Sequence, residues 1–266
     1  MKGGRQQVNW AGALSGFVEV KFGVRQGSIL GPLLFLILMA DLPGALKLFD
    51  EWLVGYVDDV ALWASDKDPE VLREQLTRHA MNFAQFVQDR GLVLNAGKTQ
   101  LMWSGSGKNT ALVTVQGENI KPSNSLELLG VTFDSKLSLE PHLAAVSRAA
   151  RVRTGMVARL SCHLPCGQYL TQLARGITLG KVGYAIAAVA TPRLEGNTCN
   201  PSSNSMAIQI AMNDVARSVL GCTRKDHVKI QDLLSRAHIP SFNAVSVRAI
   251  AMETWKAHHS VDEPDG

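Results

Sequence analysis

The chain has 266 residues, of which 46% are hydrophobic and 19% are charged, and its mean hydropathy is close to zero. This composition excludes a wholly disordered chain and a membrane-embedded body, and the length suffices for one large domain or two smaller ones. No apolar stretch is long enough to span a bilayer, and the polar, basic start MKGGRQQVNW lacks the apolar segment of a secretory signal. We therefore expect an intracellular protein, nuclear or cytoplasmic.

The formal net charge of +4 is distributed unevenly along the chain. Residues 1–140 contain 13 Lys and Arg against 15 Asp and Glu, whereas residues 141–266 contain 14 against 8. A basic surplus of this kind is typical of a surface that binds a polyanion, and also of a solvated helical surface.

The four cysteines are too few and too unevenly spaced for a disulfide framework, and the CHLPC segment lacks the second half of a zinc site.

The first part of the chain alternates between β-type and helical segments. Residues 18–21 alternate as a half-buried strand does, and the almost wholly apolar residues 29–40 predict a buried helix with Pro32 in its first turn. Residues 52–56 and 60–64 predict two strands joined by a tight turn. Further strands are predicted around residues 92–94, 100–103 and 111–115.

Helices dominate the rest. Asp68 and Gly91 predict the two ends of a long helix, because apolar residues recur between them at helical spacing. After Pro141 the sequence predicts helices over residues 141–160, 166–188, 206–220, 230–237 and 243–258, with an exposed loop over 191–205. The chain is thus expected to be α+β, with a domain boundary that separates residues 1–140 from 141–266.

Asp58 and Asp59 stand side by side between apolar segments. A hairpin turn rich in aspartate explains such a pair without any function. However, Tyr56, Val57 and Val60 are residues of types that are usually buried, and an unpaired buried carboxylate costs several kcal/mol. Magnesium prefers oxygen ligands and would offset that cost, so the pair predicts a metal site.

Four motifs, in order, are similar to those of one enzyme family. The sequence YVDD at residues 56–59 resembles the Y/F-x-D-D signature of reverse transcriptases, and GVRQGS at 23–28 resembles the motif before it, with Arg25 in place of the usual proline. Residues 91–99 resemble the next motif. Residues 128–137 resemble the primer-grip motif of non-LTR, LINE-like and jockey-type retrotransposons. The resemblance is strong from residue 18 to about 142 and looser beyond.

The resemblance implies a fold and an activity. Residues 1–140 would form part of a polymerase palm, an antiparallel sheet with packed helices, and residues 141–266 a mostly helical thumb-like region. The implied activity is RNA-directed DNA polymerisation, a template-directed nucleotidyl transfer by a two-Mg²⁺ mechanism. The implied partners are an RNA template, a DNA primer and dNTPs.

The resemblance also implies roles for single residues. Asp58 and Asp59 would hold Mg²⁺, and Lys98 would be the general acid for the pyrophosphate leaving group. The other implied contacts are Arg25, Gln26, Gly27, Ser28 and Tyr56 with nucleotide and template, Leu129 and Gly130 with the primer end, and Arg148, Arg151, Arg153 and Arg159 with nucleic-acid phosphates.

The chain also departs from the family pattern. Family members carry a third metal-binding aspartate upstream, whereas Glu19 is the sole acidic residue of residues 1–40. We therefore expect the chain to be the C-terminal part of a longer polymerase, without the fingers, and expect these 266 residues alone not to polymerise. The alternative is a non-catalytic nucleic-acid-binding remnant. A phosphate-binding P-loop ending at Lys98 is excluded, because five residues separate Gly91 from Gly97 where that loop has four.

Overall fold

A computed structural model describes residues 4–20, 23, 27–46, 53–105, 111–190 and 202–259. The chain divides into two compact units, Met1–Leu129 (unit 1) and Gly130–Gly266 (unit 2). The sequence predicts a domain boundary after residue 140, because the pattern becomes mostly helical there, and this boundary stays a prediction. No helix in the described ranges is both long and apolar enough to cross a membrane.

Unit 1 combines short strands with helices. In chain order its described elements are β1 Gly4–Gln6, β2 Asn9–Trp10, β3 Ala13–Leu14, β4 Val18–Val20, α1 Gly31–Met39, α2 Leu42–Leu46, β5 Leu53–Tyr56, β6 Asp59–Leu62, α3 Pro69–Asp89, β7 Val113–Val115, β8 Glu118–Ile120 and β9 Ser125–Leu128. Four antiparallel pairs form within it: β1 with β4, β2 with β3, β5 with β6, and β7 with β8. The mixed α+β class is confirmed in this coarse form, as small two-stranded sheets with helices.

The long helix α3 begins and ends where the sequence predicts. Asp68 is its N-cap and accepts a hydrogen bond from the backbone N–H of Glu70 at 2.9 Å, while Pro69 occupies the first turn. Gly91 follows the helix with φ +72°, a conformation that favours glycine. The helix buries Ala84 in one apolar cluster and Phe86 in another, so it joins the two cores of unit 1.

Two apolar clusters hold unit 1 together. The first contains the buried residues Ala84, Leu101, Val113, Val115 and Ile120. The second contains the buried residues Leu42, Leu46, Phe86 and Val87, with Leu53, Val60, Leu62, Leu92 and Leu94 packed against them. The second cluster therefore lies under the β5–β6 hairpin, which carries the two aspartates.

Two predictions for unit 1 were wrong. Helix α1 forms, but it is not buried: Leu36 and Ile37 are exposed, and within the described residues only its end, at Met39, packs against an apolar cluster. Residues 92–94 and 100–103 form no strands either, although Leu101 makes an isolated parallel bridge with Pro122. Their apolar side chains, such as Leu94 and Leu101, pack into the clusters from a loop, and this burial explains the β-like pattern.

Unit 2 is mostly helical, as predicted. Its described elements are β10 Val131–Asp134, α4 Glu140–Ser161, α5 Gln168–Val182, α6 Ile186–Val189, α7 Ser203–Leu220, α8 Ile230–Arg236 and α9 Phe242–His259. The single helix predicted over residues 166–188 is instead two helices, because the chain turns at Gly183 and at Ala185, where φ is +54°. Part of the loop predicted over residues 191–205 lies outside the described residues, and its end belongs to α7.

A single apolar core joins the helices of unit 2. Val146 and Val157 of α4 pack with Ile208, Met212 and Val215 of α7, and all five side chains are almost wholly buried. Burial of this extent is the main stabilising contribution to a helical unit. Polar contacts add to it: the Thr154 hydroxyl shares its proton between the carbonyls of Ala150, at 2.9 Å, and Ala211, at 3.2 Å. The exposed face of α4 is thereby held in a fixed position on unit 2.

Candidate active site

The two aspartates lie at the tip of the β5–β6 hairpin. Tyr56 pairs with Asp59 in register, and Val57 and Asp58 form the turn between them. Val57 adopts a left-handed conformation with φ +56°, which is rare for a β-branched residue and costs about 1–3 kcal/mol. The strands therefore place a tight, strained turn where the sequence predicts one.

The tip of the hairpin is exposed, and its base is packed. Asp58 and Asp59 are exposed, as are Tyr56 (62%) and Val57 (51%). The expectation that these carboxylates would be buried among apolar residues was wrong, because only the base of the hairpin, at Val60 and beyond, packs against the core. The pair thus incurs no burial cost, and both carboxylates are open to a ligand.

The hairpin tip offers the kind of ligand atom that magnesium prefers, but too few of them to complete a metal site. Two adjacent carboxylates offer the hard oxygen atoms that Mg²⁺ binds. Within the described ranges, however, no three His, Cys, Asp or Glu side chains are grouped so as to hold a metal ion. Asp58 and Asp59 can therefore supply part of a coordination shell, and the remaining ligands of an ion bound there would be other oxygen atoms, such as those of phosphate or water.

Lys98 ends a 3₁₀ turn, Ala96–Lys98, that Asn95 caps. The Asn95 side chain accepts a hydrogen bond from the backbone N–H of Lys98 at 3.2 Å, and the carbonyl of Asn95 accepts from the hydroxyl of Thr99 at 3.1 Å. The Lys98 side chain is exposed. The loop before it contributes Leu92 and Leu94 to the cluster that packs under the hairpin, so one core supports both candidate elements.

The GVRQGS segment is described only in part. Arg25 and Gln26 lie outside the described residues, whereas Gly27 has φ +79°, and the carbonyl of Ser28 accepts a hydrogen bond from Gly31 at 3.2 Å. Helix α1 begins directly after this turn. Glycine is needed at position 27, because a positive φ strains residues that carry a Cβ atom.

Sequence reasoning missed Arg90, which anchors α1. Its guanidinium group contacts the carbonyl of Leu38 at 3.1 Å and the carboxylate of Asp41 at 3.3 Å, both at the end of the helix. The signal available was weak: a long basic side chain at the end of α3, one residue before a terminating glycine. Its partners lie about fifty positions earlier in the chain, and no local pattern points to them.

The predicted primer-grip residues form a strained turn. Leu129 has φ +50° and Gly130 has φ +73°. A Cβ atom on Gly130 would lie 3.7 Å from Cε1 of Tyr184, an ordinary contact, so the backbone conformation is the reason for glycine there. Their contact with a primer stays a prediction.

The loop from Asp134 to Leu139 leads into α4 and is organised by one carboxylate. Asp134 accepts hydrogen bonds from the N–H of Leu139 at 2.8 Å and the hydroxyl of Ser138 at 3.0 Å. Desolvation acts to raise the pKa of Asp134, but these hydrogen bonds and one from the N–H of Lys136 together lower it.

The arginines of α4 divide into two groups. Arg148, Arg151 and Arg159 are exposed, and none of their side chains makes an ion pair or a hydrogen bond within the described residues. Arg153 is different, because its Nη1 donates to the carbonyl of Ile177 at 2.9 Å and so ties α4 to α5. Three of the four predicted phosphate contacts are therefore free to bind an anion, and the fourth is already engaged.

The basic surplus of unit 2 is partly neutralised within the unit. Asp214 binds both Arg217, at 3.0 Å, and Arg224, at 2.6 Å. This carboxylate raises the pKa of Arg224 further through a hydrogen bond and its charge. A count of charges along the sequence therefore overstates the number of arginines that are free to bind a partner.

Comparisons with known proteins agree with the motifs. The family described as reverse transcriptase (RNA-dependent DNA polymerase) matches residues 6–133. The chain is 25% identical over 190 residues to the RNA-directed DNA polymerase from mobile element jockey of Drosophila melanogaster, an alignment that covers 66% of this chain and 21% of that protein. It is 24% identical over 227 residues to the probable RNA-directed DNA polymerase from transposon X-element of the same species, covering 84% and 24%.

A third relative gives a shorter match of higher identity. The probable RNA-directed DNA polymerase from transposon BS of Drosophila melanogaster is 31% identical over 137 residues, which covers 48% of this chain and 15% of that protein. The chain thus spans between 15% and 24% of the length of these three relatives. No solved structure matches the chain.

Proposed function

We propose that this chain supplies part of the active site of an RNA-directed DNA polymerase. Residues 6–133 match the reverse transcriptase family, and the chain has distant homology to non-LTR retrotransposon enzymes. The reaction would be template-directed nucleotidyl transfer to a DNA primer on an RNA template. The observation that carries the proposal is the pair Asp58 and Asp59, which is exposed at the tip of a hairpin inside the matched domain.

Each residue at the hairpin tip has a part in this proposal. Asp58 and Asp59 would hold magnesium through their carboxylates, and Tyr56, opposite Asp59 in register, would contact the nucleotide. Bound magnesium supplies Lewis-acid activation of a hydroxyl group and neutralises charge on the phosphates. The rigid base of the hairpin supports the proposal, because a two-stranded turn on a packed core keeps the two carboxylates together.

Residues of the neighbouring motifs would act on the same substrates. Lys98 would donate a proton to the leaving pyrophosphate, and the Asn95 cap would hold its backbone in place. Gly27 and Ser28, with Arg25 and Gln26, would lie along the template and nucleotide. Leu129 and Gly130 would support the primer end.

The free arginines of unit 2 would bind the phosphates of the primer–template duplex. Arg148, Arg151 and Arg159 lie on the exposed side of α4, and no carboxylate within the described residues engages them. Contacts of this kind give affinity that depends on salt and carry no sequence information. The palm-like and thumb-like roles of residues 1–140 and 141–266 belong to this proposal.

We propose further that the 266-residue chain alone extends no primer. Asp58 and Asp59 supply few oxygen ligands for two magnesium ions. Without a further ligand that bridges the two ions, the rate of nucleotidyl transfer falls by several orders of magnitude. The second candidate function, a non-catalytic nucleic-acid-binding remnant, is favoured by the same observation.

A lanthanide experiment tests the metal site apart from turnover. Tb³⁺ binds oxygen-rich sites, and its luminescence would be sensitised by Tyr56 beside the aspartates. We expect Asp58→Asn with Asp59→Asn to weaken binding about tenfold or more, and Mg²⁺ to compete with Tb³⁺ on the unchanged chain. The matched control is Glu118→Gln, which removes a carboxylate from the exposed β7–β8 hairpin. Equal Tb³⁺ binding by both variants would remove the basis of the assignment.

A primer-extension assay separates the two candidate functions. The purified chain is incubated with a primed RNA template, dNTPs and Mg²⁺, and hybrid binding is measured in parallel. Binding without extension is the expected result for this chain. If the unchanged chain extends the primer and the Asp58→Ala variant does not, the predicted inactivity of the chain is contradicted and the full catalytic function is established.

A further inference from the structure

A cleft of about 660 Å³ lies in unit 2, at the start of α5 and beside the C-terminal ends of α7 and α8. One face of α5 lines the cleft with Gln168, Gln172 and Arg175, which are spaced so as to lie on one side of a helix. Arg236, the last residue of α8, and His238 also line the cleft. Side chains far apart in sequence thus meet around one space.

Among the described residues that line it, the wall of this cleft is basic and contains no carboxylate. Arg175 and Arg236 are exposed, and neither guanidinium group forms an ion pair or a hydrogen bond with any residue in the described ranges. This differs from Arg217 and Arg224 of the same unit, which share the carboxylate of Asp214. Two guanidinium groups without a carboxylate partner repel each other at one cleft. A bound anion attracts both groups and so offsets that repulsion.

The chemistry of the lining residues fits a phosphate. Guanidinium groups bind phosphate oxygens in a forked arrangement, and the amide groups of Gln168 and Gln172 supply further donors. Gly167, which also lines the cleft, precedes α5 and has no side chain to cap the first-turn N–H groups. The space exceeds what a single phosphate needs, so a phosphate attached to a longer molecule is the better fit.

We propose that this cleft binds the sugar-phosphate backbone of a nucleic-acid strand, with Arg175 and Arg236 on its phosphates. The inference rests on the proposed function for its choice of ligand, and it adds a contact surface on α5 and α8 that is separate from the arginines of α4. Sequence reasoning could not single out the pair, because the two arginines come to line one cleft only through the packing of α5, α7 and α8.

Binding of a fluorescein-labelled RNA–DNA hybrid, followed by anisotropy over a range of salt concentrations, tests the two arginines. For Arg175→Gln and for Arg236→Gln we expect the negative slope of log affinity against log salt concentration to become shallower by about 0.9. This change corresponds to about an eightfold loss of affinity at 0.1 M salt. Lys256→Gln is the control, because it removes the same charge from unit 2 at a residue that is paired with Glu253. The control is expected to bind as the unchanged chain does.

The thiol of Cys166 reports directly on the cleft. Cys166 is exposed and lines the cleft, whereas Cys162 is exposed but does not line it. Alkylation by iodoacetamide, measured at each cysteine by mass spectrometry, should slow severalfold at Cys166 when the hybrid is bound and stay unchanged at Cys162. Inorganic tripolyphosphate serves as a second probe, because it carries phosphate charge without a sugar.

Each outcome bears on the inference. Slower alkylation of Cys166 in the hybrid, together with weaker binding of both arginine variants, supports it. Hybrid binding that leaves Cys166 unprotected and both variants unaffected overturns the cleft assignment and leaves the proposed function standing. Absence of hybrid binding overturns both, and protection by tripolyphosphate alone would then reassign the cleft to a small polyphosphate.

Discussion

Arg90 donates a hydrogen bond from Nε to the carbonyl oxygen of Leu38 at 3.1 Å, across 52 positions of sequence. The same guanidinium group lies over the ring of Phe86, with Cζ 3.6 Å from the ring centroid, and pairs with the exposed carboxylate of Asp41. One side chain therefore ties the end of α3 to the end of α1, the helix that follows the GVRQGS motif.

Removal of this side chain should destabilise unit 1. We expect Arg90→Ala to lower the free energy of unfolding by about 2–3 kcal/mol, because it removes a charged hydrogen bond and a cation–π contact. Arg90→Lys should recover only part of the loss, since an ammonium group lacks the planar fork of arginine. Urea denaturation followed by circular dichroism measures both.

Asp41→Asn is the matched control for Arg90. The ion pair between Asp41 and Arg90 is mostly exposed on the Asp41 side, and exposed pairs contribute about 0–1 kcal/mol. We expect this variant to unfold close to the unchanged chain. A loss as large as that of Arg90→Ala would show that the ion pair, not the contact with Leu38, ties the two helices together.

The strained turn at the hairpin tip gives a second prediction. Val57 is half exposed and has φ +56°, so glycine at this position loses little burial and relieves the strain of a β-branched residue. We expect Val57→Gly to raise the free energy of unfolding by about 1 kcal/mol. Val54→Gly, in the extended part of β5, should instead lower it, because strand interiors disfavour glycine. Equal losses from both variants would contradict strain at Val57.

Local sequence signals account for much of the observed fold. The cap at Asp68, the glycine at position 91 and the β-rich segments around Asp58 predict elements that the structure contains, because each signal acts within a few residues. The helices of unit 2 follow from their apolar spacing in the same way. The turn that separates α5 from α6 was missed, since Gly183 lies within an otherwise continuous helical pattern.

Non-local packing accounts for what sequence reasoning missed. The pattern of residues 29–40 gives their hydrophobicity but not their packing partners, so it could not show that α1 would be largely exposed. The engagement of Arg153 and the clustering of Arg175 with Arg236 likewise depend on how helices pack together. At the candidate site, the motif located the two aspartates, while their exposure became apparent only from the hairpin in three dimensions.

The loop before α4 should make stability depend on acid. Hydrogen bonds to the charged form of Asp134 lower its pKa in the folded state. Their contribution to the free energy of unfolding is therefore complete above the ordinary aspartate pKa of about 3.9, and it is lost as the pH falls through the lower pKa of the folded state. Asp134→Asn should therefore reduce the loss of stability between about pH 5 and pH 3. Urea midpoints measured at several pH values test this.

Asp232→Asn is the control for the acid dependence. Asp232 is exposed in the same unit, and its carboxylate accepts no hydrogen bond within the described residues. We expect this variant to keep the acid dependence of the unchanged chain. If both variants flatten the pH profile equally, general charge repulsion and not the Asp134 loop is the cause.

Arg151 and Arg153 provide a paired test of which arginines serve binding and which serve folding. The two residues are neighbours on α4, but Arg151 is exposed without a partner in the described ranges, whereas Arg153 donates to the carbonyl of Ile177. Arg151→Gln should weaken binding of an RNA–DNA hybrid about eightfold at 0.1 M salt and leave the urea midpoint unchanged.

Arg153→Gln should give the opposite result. Loss of a charged hydrogen bond between α4 and α5 should lower the free energy of unfolding by about 1.5–3 kcal/mol, and hybrid affinity should stay near that of the unchanged chain under conditions where the variant is folded. The two substitutions remove the same charge two positions apart on one helix, so an effect of net charge alone predicts equal losses of affinity. Equal losses would therefore contradict the division of the α4 arginines into binding and structural groups.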